Sequence, residues 1–199
     1  MAYTSRFDHA VHFASSMHRK QTRKGTDVPY ITHLLGVAAI VGDSGGTESQ
    51  VIAALLHDVV EDQVENHPNI VNEIQERFGK DVLDMVLACS DTVTHPKPPW
   101  KERKSTYIKH IQDADDNDPA LLISLADKFY NGLTLLRDAK LEGPALFDRF
   151  KATPQQSAWY YQALAEAFAS KHWPTPTQKA LSDHYSTLSQ ELGKLFSSW

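Results

Sequence analysis

The sequence predicts an all-α fold for this chain of 199 residues. Apolar residues recur at spacings of three and four along most of the chain, which is typical of amphipathic helices. Few segments show the alternation of a β-strand, and there is no internal repeat or low-complexity tract. An apolar fraction of 41% can build a sizeable core, so the length predicts one domain with room for a small appendage.

The N-terminal third contains two predicted helices around a basic loop. Arg6 to Arg19 carries apolar residues on one face and predicts the first helix. Residues 19–29 then concentrate four basic residues before a glycine and a proline, which favour a loop. A solvated loop and an anion-binding loop both fit this pattern. Tyr30 to Val41 predicts an apolar helix in which His33 is the only strongly basic or acidic residue.

The remaining elements follow from caps, breakers and spacing. Thr47 with Gln50 predicts a capping box at the start of the helix that carries the stretch from Val51 to Asp62. Cys89 is predicted to be a small core residue, and three prolines make Thr92 to Pro99 a loop. Further helices are predicted over residues 69–78, 81–89, 100–112, 119–136, 145–151, 154–171 and 177–196. The last of these packs on the body or on a partner subunit.

Charge and composition narrow the classes of function. A net charge of −5 and a pI near 6.0 argue against a general nucleic-acid binder, although they are compatible with a local basic patch. The lone Cys89 cannot form an intrachain disulfide, and the N-terminus has no apolar run of the signal-peptide type. No window approaches the ~20 apolar residues of a membrane helix. We therefore expect a cytoplasmic protein that does not enter a membrane.

The stretch V-I-A-A-L-L-H-D-V-V-E-D, residues 51–62, changes from core to polar within a few residues. If the helix continues to residue 62, His57 and Glu61 lie on one stripe of its surface. Asp58 and Asp62 then lie on a second stripe, about 100° away around the helix axis. Charged groups are almost never fully buried unless they are paired or bind a metal. The cluster therefore predicts a site.

Two distant residues are the natural candidates to complete a metal shell with His57 and Asp58. His33 and Asp127 are each the lone ionisable group on an otherwise buried helix, and Asn131 shares a face with Asp127. A set of two imidazoles and two carboxylates suits Mn, Fe or Zn better than Mg or Ca.

The chemistry of such a shell is metal-assisted hydrolysis. A bound metal lowers the pKa of water, and Glu61 or Asp62 could orient that water or carry its proton. The simpler alternatives are that a lone histidine such as His33 is a satisfied core residue and that an adjacent His–Asp pair arises by chance.

The order of these motifs resembles the HD-domain phosphohydrolase superfamily. A-A-L-L-H-D-V-V-E-D is similar to the hydrolase domain of the Rel/SpoT homologues and to the stand-alone alarmone hydrolases of the Mesh type. R-K-G-T-D-V-P-Y-I-T-H, F-G-K-D-V, the E-R-K at 102–104 and L-A-D-K-F-Y-N extend the resemblance from about residue 5 to residue 170. The tail from residue 172 onward is expected to lie outside it.

This resemblance implies a helical HD domain over residues 1–171 with a helical tail over 172–199. It implies one Mn²⁺, for which Fe, Zn or Co could substitute, held by His33, His57, Asp58 and Asp127. It also implies that Glu61 and Asp62 serve the attack of water on the 3′-pyrophosphate of guanosine tetra- and pentaphosphate. The substrate residues that match the family, or that would offset the phosphate charge, are Arg23, Lys24, Lys128, Asn131 and Tyr161.

Three departures from the family pattern leave alternatives open. Leu34, Gln63 and Gly132 stand where the family usually has Pro, Thr and Leu. Gly132 follows Asn131, the residue expected beside the nucleoside. An adenosine alarmone of the (p)ppApp type and NADPH are therefore alternative substrates. The competing functions are an HD-type nucleotide or NADPH phosphatase, and a nucleotide-binding regulator without catalysis. The tail could also mediate a homo-oligomer.

Overall fold

The computed structural model describes residues 2–90 and 98–199, and it confirms an all-α fold over these ranges. An isolated β-bridge joins Thr22 to Pro29. None of the helices among the described residues is long and apolar enough to span a membrane. The helices are α1 Ser5–Met17, α2 Ile31–Asp43, α3 Glu48–Leu56, α4 Val59–Gln63, α5 Ile70–Phe78, α6 Lys80–Cys89, α7 Trp100–Asp113, α8 Ala120–Glu142, α9 Pro154–Ala169 and α10 Pro176–Phe196, with a 3₁₀ helix Gly143–Arg149 between α8 and α9.

Helix α3 lies at the centre of the core. Each residue from Val51 to Leu56 is at most 2% exposed, because α1, α2, α6 and α8 all pack against this helix. A helix surrounded on every side needs apolar residues around its whole circumference, which is what this stretch supplies. The same burial places His57, the first polar residue after this stretch, in the interior.

Helix α8 is the second helix around which other helices pack. It packs against α2, α3 and α6 and also against the 3₁₀ helix and α10. Its first two turns, from Ala120 to Asp127, are buried, and the residues from Lys128 to Asn131 are half-buried. The helix therefore passes from the core to the edge of a cavity at Asp127.

Local signals placed most helix ends correctly. Thr47 and Gln50 form the predicted capping box, and Gly79 ends α5 with a φ of 89°, a backbone angle that favours glycine. The predicted segment 145–151 is shifted into the 3₁₀ helix. Cys89 is buried, as predicted, and burial raises the pKa of its thiol to about 11. Residues 92–97 of the predicted loop Thr92–Pro99 lie outside the described residues.

The prediction of one continuous helix through residues 51–62 is wrong. Helix α3 ends at Leu56, α4 begins at Val59, and Asp58 lies between them with φ −96° and ψ −6°. The imidazole Nδ1 of His57 lies 2.8 Å from the carbonyl oxygen of Ala54, the acceptor that an unbroken helix would offer to the amide of Asp58. A side chain that takes a ladder carbonyl in this way is a recognised cause of a kink. The stripes predicted for an unbroken helix therefore do not apply across this turn.

Helix α10 packs on the body of the same chain, which was one of the two predicted placements. It contacts α9 and α8, and its buried stripe comprises Leu181, Tyr185, Leu188, Leu192 and Phe196. Leu188, Leu192 and Phe196 form a second apolar cluster with Leu136, Leu146 and Phe147. The division into 1–171 and 172–199 stays a prediction.

Loss of the α3 cap should destabilise the fold. We expect Thr47→Ala to lower the free energy of unfolding by about 1 kcal/mol, because the amide of Gln50 loses its acceptor at the entrance to the central helix. Urea denaturation followed by circular dichroism measures this change. Thr187→Ala, at an exposed position inside α10, is the matched control. A loss in the control equal to that of Thr47→Ala would contradict the capping role.

Candidate metal centre

Four predicted ligands converge where α2, the α3–α4 junction and α8 meet. His33 Nε2 lies 3.5 Å from Asp58 Oδ2 and 3.2 Å from Asp127 Oδ1. His57 Nε2 lies 3.1 Å and 3.5 Å from the same two oxygens. His33, His57 and Asp58 each offer one ligand atom, and these three atoms lie within 4.8 Å of one another. These side chains, distant in sequence, therefore form one cluster.

The orientation of His57 fits a metal ligand. Its Nδ1 donates to the Ala54 carbonyl, which leaves the lone pair on Nε2 facing the carboxylates of Asp58 and Asp127. Among the described residues, Nε2 is buried without a hydrogen-bond partner. A lone pair directed at two carboxylate oxygens needs a cation or a proton between them. The arrangement therefore fits a divalent metal site with nitrogen and oxygen donors.

The electrostatics of the cluster show how much each member depends on the others. Burial alone would raise the pKa of Asp127, but the Lys128 ammonium and the two imidazoles outweigh it and hold that pKa well below its usual range. Burial opposes the charge on Asp58 too, and His57 and His33 reverse the effect and lower its pKa. For His57, the two carboxylates overcome burial and raise the pKa well above its usual value. The pocket is therefore built for negative carboxylates that face positive charge.

A chain of polar contacts leads from Asp127 to the basic loop. Lys128 Nζ donates to Asp127 Oδ2 at 2.6 Å, and Asn131 Nδ2 donates to Asp127 Oδ1 at 2.6 Å. Arg23 donates in turn to Asn131 Oδ1 at 2.6 Å. Two of the predicted substrate residues, Lys128 and Asn131, are thus bonded directly to a predicted ligand, and Arg23 is joined to it through Asn131.

Sequence reasoning missed three neutral or weakly basic residues beside the cluster. The hydroxyl of Tyr30 donates to Asp58 Oδ2 at 2.5 Å. The amide of Gln21 donates to Asp62 Oδ2 at 2.7 Å, and its oxygen lies 2.7 Å from His18 Nδ1. His18 also stacks on the Tyr30 ring. Only the closeness of Tyr30 to His33, three residues along the chain, could have signalled its role.

Asp62 and Glu61 both lie on α4, beyond the two histidines. Burial, together with the charges of Asp58 and Glu61, raises the pKa of Asp62, while the hydrogen bond from Gln21 opposes the change. Asp62 is thus positioned by the segment that precedes α2. Glu61 is half-buried beside it. Asp62 therefore lies close enough to the predicted ligand Asp58 for their charges to interact, and Glu61 is placed by its closeness to Asp62.

A cavity of about 570 Å³ opens next to the cluster. Its wall contains eight basic residues, a single acidic residue (Asp138) and six aromatic residues among the part of the chain that the structure describes. Such a wall suits a planar, polyanionic ligand. The five predicted substrate residues all line it: Arg23, Lys24, Lys128, Asn131 and Tyr161. Sequence analysis quoted Arg103 and Lys104 within the E-R-K motif without giving them a role. It missed, among others, Tyr30, Trp100, Tyr130, Arg137, Arg149, Phe150, Lys151 and Tyr160.

Gly132 has a different role from the one that its place beside Asn131 suggested. It is buried, and a Cβ added there would lie 2.7 Å from Leu188 Cδ2 and 3.0 Å from Tyr161 Cε1. The space beside Gly132 is therefore occupied by Leu188 of α10 and Tyr161 of α9, not by a ligand. The presence of Gly132 thus does not argue for a base other than guanine.

Comparisons with known proteins identify the family. The family described as HD domain matches residues 10–154. The chain is 36% identical to guanosine-3′,5′-bis(diphosphate) 3′-pyrophosphohydrolase MESH1 of Xenopus tropicalis, over 94% of this chain and 90% of that protein. It is 34% identical to the Homo sapiens protein of the same name, with the same coverage.

The fold is also similar to a solved structure that is described as a metazoan ortholog of SpoT that hydrolyzes ppGpp. The TM-score is 0.70 at 25% identity, covering 93% of this chain and 96% of the other. A match over 94% of the chain necessarily includes part of residues 172–199. The expectation that the tail lies outside the resemblance is therefore wrong.

Removal of the Tyr30 hydroxyl should weaken metal binding. We expect Tyr30→Phe to reduce the affinity for Mn²⁺ by about tenfold, since Asp58 loses the donor that orients its carboxylate. Calorimetric titration without nucleotide measures this change. Tyr130→Phe is the matched control, because both rings lie about equally far from His33, at 5.5 Å and 5.4 Å, and the Tyr130 hydroxyl donates to a backbone carbonyl instead. Equal affinities in the two variants would contradict the role of Tyr30.

Proposed function

The chain belongs to the HD-domain family, and from this premise we propose that it removes the 3′-pyrophosphate of ppGpp-type alarmones. The chain is a hydrolase, and the products are GDP or GTP and pyrophosphate. The observation that carries the proposal is that the same residues line the basic cavity and bond the metal ligands. Tyr30, Lys128 and Asn131 each line the basic cavity, and each also donates a hydrogen bond to a carboxylate of the cluster.

The ligand set supports one divalent metal held by His33, His57, Asp58 and Asp127. We propose Mn²⁺ as the native ion, with Fe, Zn or Co as substitutes, because two imidazoles and two carboxylates form a mixed donor set. The ion would supply Lewis acidity and a water of lowered pKa.

The residues of the chain bind the substrate and handle the proton. Arg23, Lys24 and Lys128 face the cavity and offset the charge of the pyrophosphate group. Asp62, fixed by the amide of Gln21, orients the attacking water, and Glu61 accepts its proton. The oxygen of that water joins phosphorus as the bond to the ribose 3′-oxygen breaks, and the departing 3′-oxygen takes up a proton.

Several finer points belong to the same proposal. The enzyme acts in the cytoplasm without nucleic acid, and (p)ppApp is a second substrate because the basic residues of the cavity face the phosphate groups that both nucleotides carry. A homo-oligomer formed through the tail would use the polar outer face of α10, because the apolar stripe of that helix packs inside the chain.

A nucleotide panel tests the proposal directly. We expect the protein with Mn²⁺ to release pyrophosphate from ppGpp, since the basic cavity lies beside the cluster. Separate assays for pyrophosphate and orthophosphate, with ppGpp, ppApp and NADPH as substrates, identify the bond that breaks.

The controls of this panel separate the competing functions. A chelator and Asp58→Ala should each abolish turnover. Release of orthophosphate alone would identify a phosphatase instead, and tight nucleotide binding with background turnover would identify a regulator. Either result would overturn the proposed activity.

Glu61→Gln tests the assignment of the base. We expect it to abolish turnover while Mn²⁺ stays bound, because an amide of the same shape cannot accept the proton. Metal content by elemental analysis and kcat from pyrophosphate release measure the two properties. Glu65→Gln, exposed one turn further on, serves as the control and should keep its activity. Normal turnover by Glu61→Gln would show that another group accepts the proton.

A further inference from the structure

Three helices meet at Gly132 in an unusually close contact. The nearest atoms to an added Cβ are Leu188 Cδ2 of α10 at 2.7 Å and Tyr161 Cε1 of α9 at 3.0 Å. A glycine inside a helix costs about 1 kcal/mol relative to alanine, so its presence in the middle of α8 calls for a packing reason. The reason is the close approach of α9 and α10 to the α8 backbone.

Tyr161 connects this contact to the cavity. Tyr161 lines the cavity, and the centroid of its ring lies 6.2 Å from that of Tyr185 on α10. Tyr185 is itself fully buried against Phe168. Because Leu188 and Tyr185 both belong to α10, the position of Tyr161 depends on that helix.

Asn131 connects the same contact to the polar network. It precedes Gly132 on α8, bonds Asp127 through its nitrogen and accepts from Arg23 through its oxygen. A displacement of the α8 backbone at Gly132 would therefore move the residue that joins the basic loop to the cluster. Packing in cores is too dense to absorb such a displacement locally.

We propose that α10 supports the substrate cavity from behind its lining residues. Leu188 and Tyr185 of α10 are the positioning residues for Tyr161 and for the turn that carries Asn131. This inference rests on the proposed function and deepens it, because it makes the tail 172–199 part of nucleotide recognition. Helix α10 acts on the substrate through the binding residues that it supports. Its loss should therefore change binding more than chemistry.

Leu188→Ala is the primary test. We expect the KM for ppGpp to rise about tenfold with kcat within about twofold of wild type, the pattern of a misplaced binding group. Mn²⁺ affinity should not change. Leu188→Met, which keeps the volume, should restore KM.

Leu181→Ala is the matched control on the same helix. Leu181 and Leu188 are 7% and 5% exposed, and seven residues place Leu181 two turns earlier on the same buried stripe. We expect this variant to lose stability but to keep the wild-type KM. An equal rise in KM for both variants would overturn the proposal, because helix stability alone would then explain the effect.

A double variant tests the contact itself. Gly132→Ala inserts a methyl group against Leu188 and Tyr161, so it should also raise KM. In the double variant with Leu188→Ala, the inserted methyl group finds space, and the rise should be smaller than the product of the two single effects. Independent effects on KM would contradict a shared contact.

Direct binding separates this inference from the proposed activity. The dissociation constant for ppGpp is measured by fluorescence titration with wild type and the same variants, so it is read even where no pyrophosphate is released. Absent turnover with binding that weakens in Leu188→Ala would overturn the activity and support the inference. Normal turnover with unchanged binding and KM in Leu188→Ala would overturn the inference alone. Absence of ppGpp binding by wild type would overturn both.

Discussion

The mutual neutralisation of four ionisable groups, three of them buried and Asp58 half-buried, is the constraint on which the rest of the structure depends. His33, His57 and Asp127 are nearly inaccessible to water, and a charge isolated at such a depth costs several kcal/mol or more. Each group is tolerated because the others lie within ion-pair distance. This requirement fixes how α2, α3 and α8 approach one another, and the turn at residues 57–58 lets two adjacent side chains face the same point.

The cavity is a continuation of that cluster. Asp127 shares its two oxygens between the histidines, Lys128 and Asn131, so the charges that hold the ligands in place are also those that face a bound anion. Asn131 extends the network to Arg23 on the loop before α2. Ligand site and cavity consequently share side chains.

Local physics made much of this structure predictable from sequence. The capping box at Thr47 and the glycine at residue 79 act within a few residues, and the cost of burying lone charges marked His33 and Asp127 as members of a site. The break after Leu56 was not predictable, because it accompanies a hydrogen bond from the His57 ring to the Ala54 carbonyl, which no sequence pattern indicates. Nothing in the sequence marks Tyr30, because a neutral tyrosine does not signal a buried charge. The residues that require Gly132 lie on two helices distant in sequence.

The distribution of charge gives the molecule a strong electrostatic polarity. The chain carries a net charge of −5, yet eight of its 20 lysines and arginines line one cavity that contains a single acidic side chain among the described residues. The remaining surface is correspondingly more negative, so a polyanion is repelled over most approaches and attracted at one opening. Such a field orients diffusional encounters and raises their rate, and mobile ions weaken it over about 10 Å at 0.1 M salt. A chain that is acidic overall can therefore capture a small, highly charged nucleotide.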